Sequence, residues 1–264
     1  MGILNVTPDS FSDGGLHDGP ESAIGHGAAL LANGADLVDV GGESTRPGAA
    51  PVAVADELAR VLPVIEGLAA HTLGDSQSGV IAIDTRKEAV ARAAIASGAS
   101  MINDVSASMA AVAADLGVPW IAMHMQGEPE TMQHAPHYEG VVDEVLRFLD
   151  AKASEALAMG VPEVWIDPGV GFGKTFAHNM ALIRALDRFV ATGHPVLLGA
   201  SRKSFLGKIV GATMGLTGPA PVSDRLESSV ATALWGMIAG VEAVRVHDVG
   251  ATRNAADVLF TYSQ

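Results

Sequence analysis

Apolar residues in this chain gather in eight short runs, each stopping on a polar, glycine-flanked cluster. The runs are Gly2–Asn5, Leu37–Gly42, Val80–Asp84, Met101–Asp104, Trp120–His124, Val164–Asp167, Val196–Gly199 and Val244–His247. Being short and continuous rather than alternating, they read as strands buried on both faces. Stretches with helical spacing separate them. Strand and helix repeated eight times predict an α/β fold, a single (β/α)8 TIM barrel with long loops after strands 1 and 2. In such a barrel the chemistry gathers at the carboxyl ends of the strands.

The helices announce themselves by period and by caps. Pro20 fits the first turn of a helix ending near Asn33-Gly34. Thr85-Arg86-Lys87-Glu88 reads as a capping box opening a helix that runs to about Ser97. The longest helix is predicted over about Glu139–Met159, with Val142, Val145, Leu149, Ala153 and Leu157 on its buried face and Gly160 closing it. His71–Gly79 reads as a surface loop. Gly211–Pro221, rich in Gly and Pro, interrupts the region before a helix over Ser223–Ala239.

Composition narrows the class. At 264 residues the chain has the length of one barrel, so one domain over 1–264 is expected. A 48% hydrophobic content supplies a core, and a 17% charged fraction argues against disorder. The net charge of −14 argues against nucleic acid or an anionic membrane surface as partner. No apolar run approaches a membrane span. The first strand begins at Gly2, which leaves no signal peptide, and Val6 departs from an acylation motif. A cytoplasmic location is therefore expected. With zero cysteines, thiol catalysis and disulfides are excluded.

Candidate chemistry sits where the runs end. The loop Asn5–Gly15 is dense in small polar residues and suits a lid that excludes water. Gly41–Gly48 places Arg46 among glycine and proline, as an anion contact would require. Asp84, Asn103 and Asp167 close strands 3, 4 and 6 and are expected to face the barrel mouth. Two carboxylates and an amide can bind a flat, nitrogen-rich ring with an amino-amide edge. Asp167–Thr175 is no Walker motif, because Pro168 stands where its first Gly belongs. A Gly-rich turn bringing backbone and Lys174 to a ligand is the better reading. Seven of the 16 Lys and Arg residues follow strand ends (Arg46, Arg86, Lys87, Lys174, Arg202, Lys203 and Arg245), an arrangement that would focus potential on an anionic substrate. His247 alternates with Arg245, so both point to one face. Met123, Met125 and Phe172 either line an aromatic ligand or pack in the core. His-Glu-x-x-His and Gly-x-Ser-x-Gly are both absent, leaving zinc and serine hydrolase chemistry unsupported.

Taken in order, Gly2–Gly15, Gly42–Gly48, Ile102–Asp104, Met123–Gly127, Asp167–Lys174, Ser201–Ser204 and Arg245–Asp248 closely resemble bacterial dihydropteroate synthase over nearly the whole chain. The resemblance implies joining of a dihydropterin-methyl diphosphate to 4-aminobenzoate with loss of diphosphate, in folate synthesis. It implies that Asp84, Asn103, Asp167 and Lys203 hold the pterin, with Phe172 beside it and Arg245 stacking on it. Asn5 would hold Mg2+ on the diphosphate, and Arg245 and His247 would contact its oxygens. Phe11, Thr45, Arg46, Pro47, Lys203 and Ser204 would form the aminobenzoate pocket, which sulfonamides would enter as mimics. Asp84, Lys203, Arg245 and His247 are then the catalytic set. A homodimer is implied as well. Family members usually carry a short segment before the first strand, whereas here the strand starts almost at Met1, so either a less well covered barrel floor or an internal recorded start is expected. Two alternatives carry the same pterin edge. A pterin-dependent methyltransferase would usually work with a corrinoid partner, and the chain has no Asp-x-His-x-x-Gly motif. A catalytically inactive pterin-binding paralogue would be expected to decay first in loops 1 and 2, whose sequences are intact.

Overall fold

The computed structural model describes residues 1–7, 19–46, 48–74 and 79–262. Pro8–Gly15 of the first loop, with Phe11, and also Pro47 and 75–78 lie outside the described residues. The strands are β1 (Gly2–Asn5), β2 (Leu37–Gly41), β3 (Val80–Asp84), β4 (Met101–Asp104), β5 (Trp120–Met123), β6 (Val164–Asp167), β7 (Leu197–Leu198) and β8 (Ala243–Val244). The helices are α1 (Pro20–Ala32), α2 (Val54–Gly74), α3 (Glu88–Ala96), α4 (Ala110–Leu116), α5 (Val141–Ala158), α6 (Phe176–Arg184), α7 (Leu186–Val190), α8 (Ser204–Thr213), α9 (Leu226–Ala239) and α10 (Val249–Tyr262).

The first six strands pair in parallel and in chain order, and β7 pairs with β8. Single parallel bridges, Ile166 to Val196 and Gly2 to Val246, join the two sheets at both edges. The second seam is sewn by Ile3 N–H donating to Val246 O at 3.0 Å and Val246 N–H to Met1 O at 2.9 Å. All eight strands therefore close into a barrel, as the eight apolar runs predict.

Strand alternation sorts the interior into layers. Met1, Leu37, Ala82, Met101, Ile121, Trp165, Leu197 and Ala243, one residue at each strand, form an apolar plug. Two residues onward along the strands come Ile3, Asp39, Asp84, Asn103, Met123, Asp167, Gly199 and Arg245, a polar layer in the upper barrel. The opposite faces of the strands pack on the helices in a second, larger core. A polar site thus rests on a hydrophobic floor.

Several local expectations are corrected. The longest helix is α2, with 21 residues, against 18 for α5. On α5 the buried face is Val141, Val145, Leu149, Ala153 and Ala156, while Leu157 is 46% exposed. The stripe drifts because 3.6 residues per turn carry position 156, not 157, back to the core. Thr85 does not box the next helix, which begins at Glu88 with Lys87 at its cap. Its hydroxyl donates instead to the buried Glu57 Oε1 at 2.7 Å and accepts from Lys87 N–H. His71–Gly74 belongs to α2, and Gly211–Thr213 to α8, so both supposed loops start later than their composition implies. Pro20 does open α1. A 3-10 turn, Val222–Arg225, precedes α9.

Leu149→Ala should lower unfolding free energy by about 2–5 kcal/mol through the cavity it leaves. Leu157→Ala should change it by less than about 0.5 kcal/mol. Urea denaturation of both variants checks the assignment, and comparable losses would contradict it.

Candidate active site

The polar layer is organised by a residue that the strand reading passed over. Asp39, in the middle of β2, is fully buried. Its Oδ2 accepts from Arg245 Nε at 2.6 Å and from Asn103 Nδ2 at 2.9 Å. Arg245 extends across the barrel from the end of β8 and donates through Nη2 to Asp84 Oδ2 at 2.8 Å. Two carboxylates thus share one guanidinium. The Asp39 Oδ1 atom is buried without a partner among the described residues. Burial pushes Asp84 up to about 7, and Asp39 adds to this while Arg245 opposes it. Arg245 is pulled down by burial, yet Asp39 and Asp84 hold it above the usual guanidinium value. The signal for Asp39 was present in the sequence: a charge inside a continuous apolar strand must find a partner.

Opposite this cluster, Asp167 ends β6 and accepts from Gly169 N–H at 2.7 Å. Burial raises its pKa, against the pull of Lys203. Lys203 comes from the loop after β7, donates to Val170 O, and sets its ammonium 4.4 Å from the centre of the Phe172 ring. Burial lowers Lys203 to about 8, opposed chiefly by Asp167. Asp84, Asn103, Asp167, Phe172, Lys203 and Arg245 are therefore brought together at one end of the barrel.

Lys174 is corrected. It does not reach toward a ligand but is buried, donating to the carbonyls of His124 at 3.1 Å, Gly169 at 2.9 Å and Phe172 at 2.9 Å, with His124 Nδ1 at 3.0 Å. Burial lowers it to about 7, and burial and Lys174 together lower His124 to about 3. The ammonium staples the β5 and β6 loops together. Gly169 allows this contact: it has φ +64°, and a Cβ there would lie 1.9 Å from His124 O.

Several of the seven strand-end cations are neutralised by carboxylates and do not add to a field on the mouth. Arg86 and Lys87 pair with Glu43, and Lys87 with Glu57 as well. Arg202 forms a two-pronged pair with Asp248 at 3.0 and 2.6 Å. Arg46 and Lys203 form no ion pair among the described residues, and Arg245 lies at the mouth already paired with Asp39 and Asp84. Glu43, which also accepts from Val52 N–H at 2.8 Å, anchors the base of the loop carrying half-buried Thr45 and exposed Arg46. Arg46 is close enough to His247 to depress its pKa. Ser204 is the first residue of α8, and exposed. The loop before it is held from behind by Arg225, which donates to Ala220 O and Arg202 O, and by Ser229, which accepts from Arg202 N–H. These supports lie far from the strand ends in sequence and carry no motif.

Asn5 stands half-buried at the end of β1, paired in register with Gly41. Its amide oxygen is a hard donor of the type magnesium takes. Among the described residues no group of three or more acidic or histidine side chains could form a cage for a metal ion. This donor set fits an ion that arrives with phosphate oxygens and takes one or two protein ligands. No helix among the described residues is long and apolar enough to cross a membrane.

Residues 1–247 match the family model described as pterin binding enzyme. The dihydropteroate synthase of Mycobacterium leprae is 46% identical, the alignment covering 98% of this chain and 91% of that protein. Among solved structures, Xanthomonas albilineans dihydropteroate synthase with 4-aminobenzoic acid superposes with a TM-score of 0.89 at 45% identity, covering 100% of this chain and 92% of the other. The same enzyme in complex with 7,8-dihydropteroate gives a TM-score of 0.86 at 43% identity, covering 100% of this chain and 92% of the other.

Asp84 retains a proton in the fold where the unfolded chain, with a pKa near 3.8, has lost it. Its contribution to stability is therefore full below about 4 and declines as pH rises toward about 7. Wild type minus Asp84→Asn, compared by urea denaturation across that window, isolates this term. The difference should fall with rising pH; a flat difference would contradict the raised pKa.

Proposed function

Because the chain belongs to the dihydropteroate synthase family of pterin-binding enzymes, we propose that its barrel mouth joins a dihydropterin-methyl diphosphate to 4-aminobenzoate, releasing diphosphate and forming 7,8-dihydropteroate for folate synthesis. It is a transferase. The observation that carries the site assignment is the meeting of Asp84, Asn103, Asp167, Lys203 and Arg245 around one polar layer, although five different strand ends supply them.

Asp84, Asn103 and Asp167 bind the amino-amide edge of the pterin, each hydrogen bond to a charged acceptor contributing about 1.5–3 kcal/mol. Lys203 donates to the ring's polar edge, and Phe172 and the Arg245 guanidinium flank its faces. Arg245 and His247 hold the diphosphate. Asn5 would supply the protein ligand to Mg2+ carried on that diphosphate, and the bound ion would neutralise charge on the leaving group. The carbon–oxygen bond at the exocyclic methylene breaks with its electron pair leaving on diphosphate, and the ring spreads the positive charge. The neutral amine of 4-aminobenzoate then attacks the methylene carbon and loses a proton. No strong base is needed before attack. Fixed cations around the departing oxygens lower the barrier because they need no reorganisation.

Thr45, Arg46 and Ser204, with Lys203 beneath them, receive 4-aminobenzoate, Arg46 meeting its carboxylate. Phe11 and Pro47 belong to the same reading and lie outside the described residues. Sulfonamides bind here as aminobenzoate mimics, so excess 4-aminobenzoate relieves their inhibition.

Arg46→Ala should raise the KM for 4-aminobenzoate about ten-fold or more, the loss of one charged hydrogen bond. Affinity for the pterin diphosphate should change far less. Steady-state kinetics with calorimetry of pterin binding checks the split, and equal losses on both substrates would contradict the assigned roles.

A homodimer is proposed on the exposed apolar residues Met214 and Leu216 after α8 and Trp235 and Ile238 on one face of α9. Sedimentation equilibrium should give twice the 27.0 kDa chain mass, and Ile238→Asp should shift it toward one. A wild-type chain that sediments as a monomer would contradict the dimer.

A further inference from the structure

We propose that Ser201 is a positioning residue that fixes His247 as the neutral, Nε2-protonated tautomer, so that the ring offers the diphosphate an uncharged N–H donor. This rests on the reading of His247 as a diphosphate contact.

The geometry leaves the hydroxyl little choice. Ser201 is buried in the loop after β7. Its Oγ accepts from the His247 backbone N–H at 3.2 Å and lies 2.9 Å from His247 Nδ1. A serine hydroxyl has one hydrogen and two lone pairs. Among the described residues the only acceptor offered to that hydrogen is Nδ1. If Nδ1 carried the ring proton, two N–H groups would converge on one oxygen and a buried hydroxyl hydrogen would be left unmade. The satisfied arrangement is Ser201 O–H donating to Nδ1, which leaves the proton on Nε2.

The surroundings disfavour the doubly protonated ring as well. Burial pulls His247 down to about 4, helped by Arg202, Arg245 and Arg46 and opposed by Asp248. Ser201 is itself held in place, since its neighbour Arg202 adopts φ 59°, donates N–H to Ser229 and is clamped by Asp248. An uncharged donor contacts the diphosphate in substrate and product without a further full ion pair, which favours release after the bond has broken.

The test is long-range proton–nitrogen NMR of the histidine rings, with His247 assigned by its loss in His247→Gln. The wild-type spectrum should show Nδ1 bare and Nε2 protonated. In Ser201→Ala the two nitrogens should move toward an average, and affinity for inorganic diphosphate should fall by about three- to ten-fold. Ser201→Thr, which keeps the hydroxyl, should restore both. A wild-type ring protonated on Nδ1 or on both nitrogens overturns the proposal, as does a tautomer unmoved by Ser201→Ala. If His247→Gln binds inorganic diphosphate as tightly as wild type, the diphosphate contact itself fails, and the tautomer result identifies which of the two readings was at fault.

Discussion

A buried aspartate has to be compensated, and in this barrel the compensation builds the site. Asp39 lies beyond the reach of solvent on β2, where an unpaired carboxylate would cost several kcal/mol. Arg245 supplies the charge and Asn103 a further donor. The Arg245 side chain is thereby drawn across the mouth and pinned by Asp84 on its other side. Two strands far apart in the chain, β2 and β8, are tied by one ion pair inside the closed barrel. Asn103 is fixed against the same Asp39, while Asp167 on the opposite side is held by Gly169 N–H.

The consequence is preorganisation. A planar ligand entering the mouth meets groups already oriented by one another, so little ordering entropy remains to be supplied on binding. The loops repeat the principle with other means. Lys174 spends its charge on three backbone carbonyls to fix the turn that carries Phe172, and Arg225 does the same for the loop that carries Lys203. Glu43, Arg86, Lys87 and Glu57 brace the base of the second loop. Most of the cations at this end are therefore engaged by the protein's own carboxylates or carbonyls, and a few face the substrate.

The barrel was legible because parallel strands covered on both faces must be continuously apolar, and eight such runs leave few alternatives. The strand-end residues Asp84, Asn103, Asp167 and Arg245 were legible for the same reason, since a polar residue ending an apolar strand faces the mouth. Asp39 was missed because a single charge within Leu37–Gly41 does not break the apolar run. Lys174 was misplaced because a lysine beside glycines has the same sequence whether its ammonium meets phosphate or carbonyl oxygen. Thr85 was misassigned because its true partner, Glu57, lies 28 residues away on another helix. Local pattern reports which way a side chain points; it does not report what tertiary packing brings to meet it.

The most direct measurement is diphosphate release from the dihydropterin-methyl diphosphate with Mg2+, followed with and without 4-aminobenzoate. Release that requires the amine and yields 7,8-dihydropteroate in equal amount is the predicted result. Tight binding of the pterin substrate without amine-dependent release would contradict it, and would leave a pterin-binding protein that does not carry out the transfer.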